Sequence, residues 1–448
     1  MPRRKLALAL AATAAVMAPS AAQASSTQTT IFEAPRELLS GDAATRSQTL
    51  DEIQALGADW VRVLVYWQSV APSPQAKTKP AFDERDPAAY DWSRLDGAIA
   101  DARARGLGVL ATITGPVPTW ATGRREGNTF KPSPTRFERF TTAVARRYGG
   151  QVNAWSIWNE PNHPQFLSPQ FRNGKPYSPT LYRSLYRSAV KGLAAAGRGK
   201  DTLLAGETAP RGTPRVVAPV DFVEGFWRGS SKGLRVSGWA HHPYTTSQGP
   251  SFVPPDRDDV TIGALSRLTR ALDRATRNGI PLWLTEFGIQ SEPDPFSGVS
   301  ESRQAEYRSI AERTAFTNGR VKAFSQYLMR DDLPRDGRPS ARYSGFESGL
   351  RHSDGRAKLA YDAFRLPLVV RRTSRSKISL WGIARPASGA TTVVVEYRPR
   401  GSSAWRRLKA DATNTRGAWS TTSSYRSGRT YRVTWNGQAG PPTRVYSR

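Results

Sequence analysis

From residue 30 to residue 366 short apolar runs alternate with longer stretches in which apolar residues recur every three or four positions. A short apolar run followed by an amphipathic stretch predicts a βα unit, and a series of such units predicts a parallel sheet. The strand-like runs are 30–34, 60–66, 108–113, 152–158, 203–206, 236–240, 282–284 and 321–327. Eight of them is the number that closes a (β/α)8 barrel. Gly57, Gly106, Gly149, Gly197, Gly233, Gly279 and Gly319 each precede such a run, where a left-handed glycine would close the preceding helix.

Two of the intervening stretches carry a clear helical stripe. Ser133 and Pro134 suit an N-cap and first turn, and Phe137, Phe140, Val144 and Tyr148 follow on one face. Leu265, Leu268, Leu272 and Ala275 repeat the pattern. The long connection 71–90 is rich in Pro, Lys and Asp, and after a barrel strand it would lie at the C-terminal rim.

Beyond Leu366 the period changes to two. Ile378 and Leu380, then Val393, Val395 and Tyr397, then 430–435 alternate with polar positions, and Gly389, Gly401, Gly417 and Gly428 mark turns. This predicts a small antiparallel β-sandwich, similar in pattern to immunoglobulin or fibronectin III domains. Residues 1–24 read as an export signal, with Arg3, Arg4 and Lys5, an apolar run, and Ala22-Gln23-Ala24. The expected organisation is therefore a signal over 1–24, a catalytic barrel over 25–366 and an accessory domain over 367–448, in a secreted, extracellular protein. No later stretch reaches the roughly 20 apolar residues of a membrane span.

Composition refines this picture in two ways. The 448 residues contain no cysteine, which excludes thiol catalysis, disulfides and cysteine metal sites. The net charge is +28, and residues 367–448 hold sixteen Lys or Arg against Glu396 and Asp411, a net +14. Half the excess thus sits in the last 82 residues. Such a tail suits an anionic cell-surface polymer, with no nucleic acid expected because no nucleic-acid motif accompanies the charge. Its tryptophans, Trp381, Trp405, Trp419 and Trp435, are either sandwich core or exposed stacking surface.

Two predicted strands end in a carboxylate: Trp158-Asn159-Glu160-Pro161 and Thr285-Glu286-Phe287-Gly288. By count these end strands 4 and 7, and residues at strand C-termini of a parallel barrel converge on one pocket. Two acids across one pocket suit glycoside hydrolysis, with one held protonated for the leaving oxygen and the other ionised.

Those two motifs resemble clan A retaining glycoside hydrolases, which include cellulase-like family 5 and xylosidase-like family 39. Val61-Arg62-Val63 with Trp67 is similar to the clan's strand-2 segment, Tyr90-Asp91-Trp92 with Leu95-Asp96 to the start of its second helix, and His242-Pro243-Tyr244 to its strand-6 motif. The resemblance implies a retaining enzyme cleaving O-glycosidic, β-linked bonds, with Glu160 as acid/base and Glu286 as nucleophile. It implies that Asn159 holds the sugar 2-hydroxyl, that Arg62 and Tyr244 keep Glu286 ionised, and that His242 tunes the acid/base. His241 is the bystander of its pair, since neighbours on a strand face opposite ways.

The chain departs from family 5 at two places: Thr112-Ile113-Thr114 stands where a strand-3 histidine is usual, and the strand-8 run 324–332 lacks the usual tryptophan. Glu207 is a third rim acid, either a substrate contact or an ion-pair member. Trp67, Trp120, Trp158, Tyr327 and Phe346 are candidate sugar-stacking rings. Neither a cofactor nor a metal is expected, since the four histidines lack ligand spacing. The expected partner is a glycoside, oligosaccharide or polysaccharide, and the expected state a monomer. The competing reading is a non-catalytic carbohydrate- or polyanion-binding surface protein on a glycosidase scaffold.

Overall fold

The structure, a computed structural model, describes residues 27–123, 127–229, 234–276 and 279–446. The expected export signal and Gly233 lie outside them.

Eight parallel strands form a closed barrel: β1 (Thr29–Glu33), β2 (Trp60–Tyr66), β3 (Gly108–Thr114), β4 (Ala154–Ile157), β5 (Thr202–Thr208), β6 (Gly238–His241), β7 (Leu282–Leu284) and β8 (Val321–Tyr327). Each predicted run overlaps one of them. The ring closes where Thr29–Glu33 of β1 pairs in parallel with residues 323–327 of β8. The main helix after each strand is, in order, α1 (Ala43–Ala55), α2 (Ser93–Ala104), α3 (Pro134–Tyr148), α4 (Ser178–Ala195), α5 (Pro219–Trp227), α6 (Leu265–Thr276), α7 (Glu301–Phe316) and α8 (Leu359–Arg365).

Helix α3 starts as its sequence predicts, with Ser133 Oγ accepting from Arg136 N and Pro134 in the first turn. Phe137, Phe140, Val144 and Tyr148 are all buried against the sheet. Four of the helix-closing glycines are left-handed: Gly57, Gly106, Gly197 and Gly279, with φ between 58 and 77°. Gly149 instead stays helical at φ −58°.

The period-two alternation of the strands sorts their side chains into two layers. Outward residues such as Val61, Val63, Val65, Val109 and Ile113 pack under the helices. Inward residues begin apolar, with Ile31, Leu110, Ala154, Leu204, Ala240 and Ala323 around Trp60 and Trp283. Two positions on, the same faces carry Glu33, Arg62 and Thr112, all buried. The barrel interior is therefore an apolar floor beneath a charged layer. Gly108 makes that floor possible, because a Cβ there would lie 2.4 Å from the Trp60 ring.

The C-terminal region forms a second sheet of β9 (Leu368–Arg372), β10 (Lys377–Ile383), β11 (Thr392–Arg398), β12 (Arg406–Ala412), β13 (Ala418–Ser424), β14 (Thr430–Trp435) and β15 (Thr443–Tyr446). The order is β12-β11-β14-β15-β9-β10-β13. All pairings are antiparallel except β9 with β15, which is parallel and joins the two halves. Ile378, Leu380, Val393, Val395, Trp419, Tyr431 and Val433 make its core. Trp381 is also buried, but against the barrel, with Phe316 at 5.4 Å.

The second sheet docks on the barrel through a buried ionic cluster. Arg385 pairs with Glu312 of α7, which also binds Arg308 at 2.8 Å. Arg385 and Arg308 both lie on the ring of Phe364, and Arg385 donates to the Phe364 carbonyl and to Thr30 Oγ1. Arg416 pairs with Asp59 at 2.7 Å. Thr30 is the second residue of β1 and Asp59 precedes β2, so this contact lies at the end of the barrel opposite the strand C-termini. No helix of the described residues is long and apolar enough to cross a membrane.

Candidate active site

The inward, C-terminal positions of the strands supply the charged layer. Arg62, in the middle of β2, is 1% exposed and sits at its centre. Its Nη1 donates to Glu286 Oε2 at 3.0 Å and to Glu33. Its Nη2 donates to Asn159 Oδ1 at 2.7 Å and to Glu207 Oε2 at 2.6 Å, and its Nε to Thr112 Oγ1 at 3.3 Å. A buried guanidinium is tolerable only when its donors are filled and its charge is opposed, and here both hold. Burial alone would favour the neutral form, but Glu207, then Glu33 and Glu286, outweigh it and raise the Arg62 pKa well above its ordinary value.

Glu286 follows β7 by two residues and is held on both oxygens. Tyr244 donates to Oε1 at 2.7 Å while Arg62 holds Oε2. Glu160 follows β4, where the backbone is turned sharply: Trp158 has φ 69° and Glu160 φ 39°. Left-handed conformations cost a non-glycine residue about 1–2 kcal/mol each. They are fixed by Asn159 N on Thr114 Oγ1 at 3.0 Å and Glu160 N on the Glu207 carbonyl at 3.0 Å. The effect is to aim Asn159 and Glu160 into the site from adjacent positions.

His242 links the two acids. Its Nδ1 lies 3.0 Å from Glu160 Oε1 and 3.6 Å from Glu286 Oε2. Burial disfavours an imidazolium, but Glu286 and then Glu160 overcome that and raise the His242 pKa. His241 points the other way. Its Nε2 lies 2.8 Å from the Val260 carbonyl and its Nδ1 2.8 Å from Thr208 Oγ1. Burial lowers its pKa to about 4, so it is neutral at pH 7, with Nε2–H donating to the carbonyl.

Glu207 lies on β5 at φ 50°, beside a register shift. Gly206 makes this possible, at φ 108° with only 2.4 Å between its missing Cβ and the Ala240 carbonyl. Of its two expected roles, Glu207 has the ion-pair one: it is fully buried and spends its oxygens on Arg62 and on Thr112 at 2.8 Å. Thr112 Oγ1 accepts from Arg62 Nε and donates to Glu207 Oε1, and so links the two.

The aromatic candidates separate cleanly. Trp67 and Trp158 are fully buried, and Trp120 nearly so. Trp67 stacks on Phe140 at 5.0 Å and meets Trp120 edge-on at 5.9 Å, so its faces are taken by core rings. Trp120 also packs on Phe82 of the 71–90 connection. These three are corrected from stacking surfaces to core, because an enclosed ring has no free face for a sugar. Tyr327 and Phe346 remain at the mouth, 5.2 Å apart and edge-on, with Tyr244 6.0 Å from Phe346.

Glu33 was missed by the sequence reading. It ends β1, is 2% exposed, and burial pushes its pKa up to about 8 against the pull of Arg62. The signal was present, since Ile31-Phe32-Glu33 is a third apolar strand ending in an acid. Among the described residues no group of three or more His, Asp or Glu is arranged to hold a metal ion. The carboxylates Glu33, Glu207 and Glu286 instead surround Arg62.

Comparison with known proteins agrees with this architecture. Residues 20–180 match the family model described as cellulase (glycosyl hydrolase family 5), a segment that includes Arg62 and Glu160 but not Glu286. A glucosidase from Croceicoccus marinus superposes with a TM-score of 0.52 at 13% identity, covering 89% of this chain and 92% of that one. A β-glucosidase from Exiguobacterium marinum gives 0.49 at 16% identity over 72% of this chain and 86% of that one. An exo-β-1,4-mannosidase from Opitutaceae bacterium strain TAV5 gives 0.48 at 15%, over 75% and 58%. No curated protein sequence matches at a significant level. The chain thus shares the fold of the Croceicoccus marinus glucosidase and resembles glycosyl hydrolase family 5 over residues 20–180.

Proposed function

We propose that this chain, built on a family 5-type glycoside hydrolase barrel, is an exported retaining β-glycosidase. Glu286 is the nucleophile and Glu160 the acid/base. The observation that carries the reading is the convergence of both acids on His242 Nδ1, at 3.0 and 3.6 Å. Those two legs added bound the separation of the two oxygens at about 6.6 Å. Retaining enzymes hold their carboxyl groups about 5–5.5 Å apart, and inverting ones about 6.5–9.5 Å to leave room for a water.

The surroundings of the two acids support different jobs. Glu286 receives Tyr244 on one oxygen and the Arg62 cation on the other, which fixes the direction in which it points. Glu160 has no Arg or Lys paired with it among the described residues and meets His242 Nδ1 at 3.0 Å on one oxygen. In the first step Glu286 attacks the anomeric carbon while Glu160 gives its proton to the departing oxygen. In the second Glu160 takes a proton from water, which displaces Glu286 and regenerates both groups. Asn159, anchored by Arg62, is set beside Glu160 to hold the sugar 2-hydroxyl.

The test is the stereochemistry of turnover. NMR of the first-formed sugar from an aryl β-glycoside should report the β-anomer, and a slow 2-fluoro glycoside should leave its sugar on the Glu286 peptide. An α-anomer as first product, or a label on another carboxylate, would refute the assignment. Export is tested by whether the secreted form begins after residue 24.

A further inference from the structure

The charge of the second domain is not evenly spread. Arg398, Arg400, Arg426, Arg429 and Arg444 line one cleft of about 580 Å³, formed by the turn after β11, the turn before β14, and β15. Among the described residues none of these guanidinium groups has an ion-pairing carboxylate. The only two acids of residues 367–448 are spent elsewhere: Glu396 on Arg432 at 2.6 Å, and Asp411 on Lys409 at 3.3 Å. From the barrel, half-buried Glu306 of α7 feels the charge of Arg444.

Like charges brought together without counter-charges cost stability unless something opposes them. Two of the five, Arg398 and Arg429, and two neighbours outside the cleft, Arg372 and Arg432, are held on aromatic rings. Arg429 lies 3.9 Å from the Tyr397 ring centre, Arg398 and Arg432 lie 4.9 and 4.3 Å from that of Trp405, and Arg372 lies 4.1 Å from that of Tyr425. Stacking fixes a guanidinium plane and reduces what it loses on pairing with an oxyanion. It also occupies the ring faces on which nucleobases would stack, and single-stranded nucleic acid is bound largely by such stacking. The cleft is accessible. Ala418, at one end of β13, packs with Ile310 of the barrel, whereas Tyr425, just past the other end, lines the cleft.

We propose that this cleft binds an anionic polysaccharide, its arginines pairing with carboxylate, sulfate or phosphate groups along the chain. A polymer is the fitting ligand because five cations from three segments exceed what one small anion can oppose. The choice of polysaccharide among polyanions rests on the glycosidase reading of the barrel, whose substrate the cleft would keep close by raising its effective concentration.

The test uses the full-length protein and two triple variants of equal charge. Arg400→Gln/Arg426→Gln/Arg444→Gln empties the cleft of its exposed cations. Arg375→Gln/Arg406→Gln/Arg407→Gln removes three exposed charges elsewhere on the same domain. Each is titrated with a polyuronate, a sulfated glycan, a phosphorylated glycan, a neutral glucan and single-stranded DNA, with thermal melts to confirm folding. Wild type should bind at least one of the acidic polymers, and the one bound tightest identifies the anion. The cleft variant should lose about tenfold or more in affinity and have a shallower salt dependence, since fewer counterions are released. The control variant should change by about twofold or less. Equal losses in both variants would mean diffuse attraction and overturn the proposal. So would tighter binding of DNA than of every glycan, or no binding of any acidic polymer. If wild type cleaves no glycoside but the cleft variant alone loses polymer binding, the barrel reading fails and the cleft stands.

Discussion

Arg62 reaches Glu286 and Glu33 through the same nitrogen, Nη1. The two acids therefore share one proton donor, and the charge on one affects the other. Glu33, pushed up to about pKa 8 by burial, is mostly neutral at pH 7 and there presents no charge to that nitrogen. Above pH 8 its negative charge competes with Glu286 for it.

The first prediction follows. Hydrolysis should weaken above about pH 8, and Glu33→Gln should move that limb upward without abolishing turnover. Stability should show the same group. An ordinary carboxyl titrates near 4.5, so between 4.5 and 8 the folded chain keeps a proton that the unfolded chain has lost. Stability contributed by this proton declines as pH rises through that window. Melting temperatures of Glu33→Gln should accordingly fall less than those of wild type from pH 5 to 8. Parallel curves would remove Glu33 from the account.

Division of labour between the acids gives the second. Glu286→Gln should leave no measurable turnover on any glycoside, because the covalent intermediate cannot form. Glu160→Ala should cost about 10²–10⁴-fold on a poor leaving group and much less on an acidic phenol. Added azide should restore part of that loss by attacking the glycosyl-enzyme and giving a β-glycosyl azide. Equal losses on both substrates, without an azide effect, would count against Glu160.

The third concerns the domain contact. Glu312 is 2% exposed at its side chain, and its pKa is lowered because Arg308 and Arg385 overcome the penalty of burial. Arg385→Ala removes one of the two cations and uncovers Phe364. Loss of one partner from a buried cluster costs about 3 kcal/mol, which urea denaturation would read directly. Truncation after Leu366 should be worse, since it also bares Ile310 and Phe316, and the shortened barrel should be insoluble. A soluble, active truncated barrel would refute this. Hydrolysis by Arg385→Ala in the absence of denaturant should match wild type, because Arg385 contacts the end of the barrel opposite the site.

How much of this was legible depends on how local each signal is. Val61, Val63 and Val65 alternate with Arg62 and Leu64, so strand, face and inward arginine can all be read from five residues. Glu160 and Glu286 stand out because each ends an apolar run and carries a motif. Glu33 obeys the same rule, but no motif marks it. Of the partners of Arg62, Glu286 was expected through the resemblance, but Glu33 and Glu207 could not be assigned to it, since they come from distant strands. The same holds for Arg385, one of sixteen basic residues in its domain and distinguished only by Glu312. Trp67 misled for a related reason: its place after β2 suits a site residue, but Phe137 and Phe140 of α3 enclose its ring.

That contrast supplies the last prediction. Phe346 is 37% exposed and meets Tyr327 edge-on at 5.2 Å, and its backbone N–H is held by Asp332 Oδ2 at 2.9 Å. It is thus an ordered ring with a free surface beside Tyr244, which itself touches Glu286. Sugar C–H faces pack on such rings. Phe346→Ala should raise KM by about tenfold, the equivalent of roughly 1.4 kcal/mol of uniform binding, with kcat and melting temperature nearly unchanged. Trp67→Ala should do the reverse, costing about 3–5 kcal/mol of stability as a large core ring is lost. The two variants measured together separate platform from core. If Phe346→Ala lowers the melting temperature as much as Trp67→Ala does, the ring is structural. If KM is unchanged on oligosaccharides as well as on aryl glycosides, sugar does not bind there.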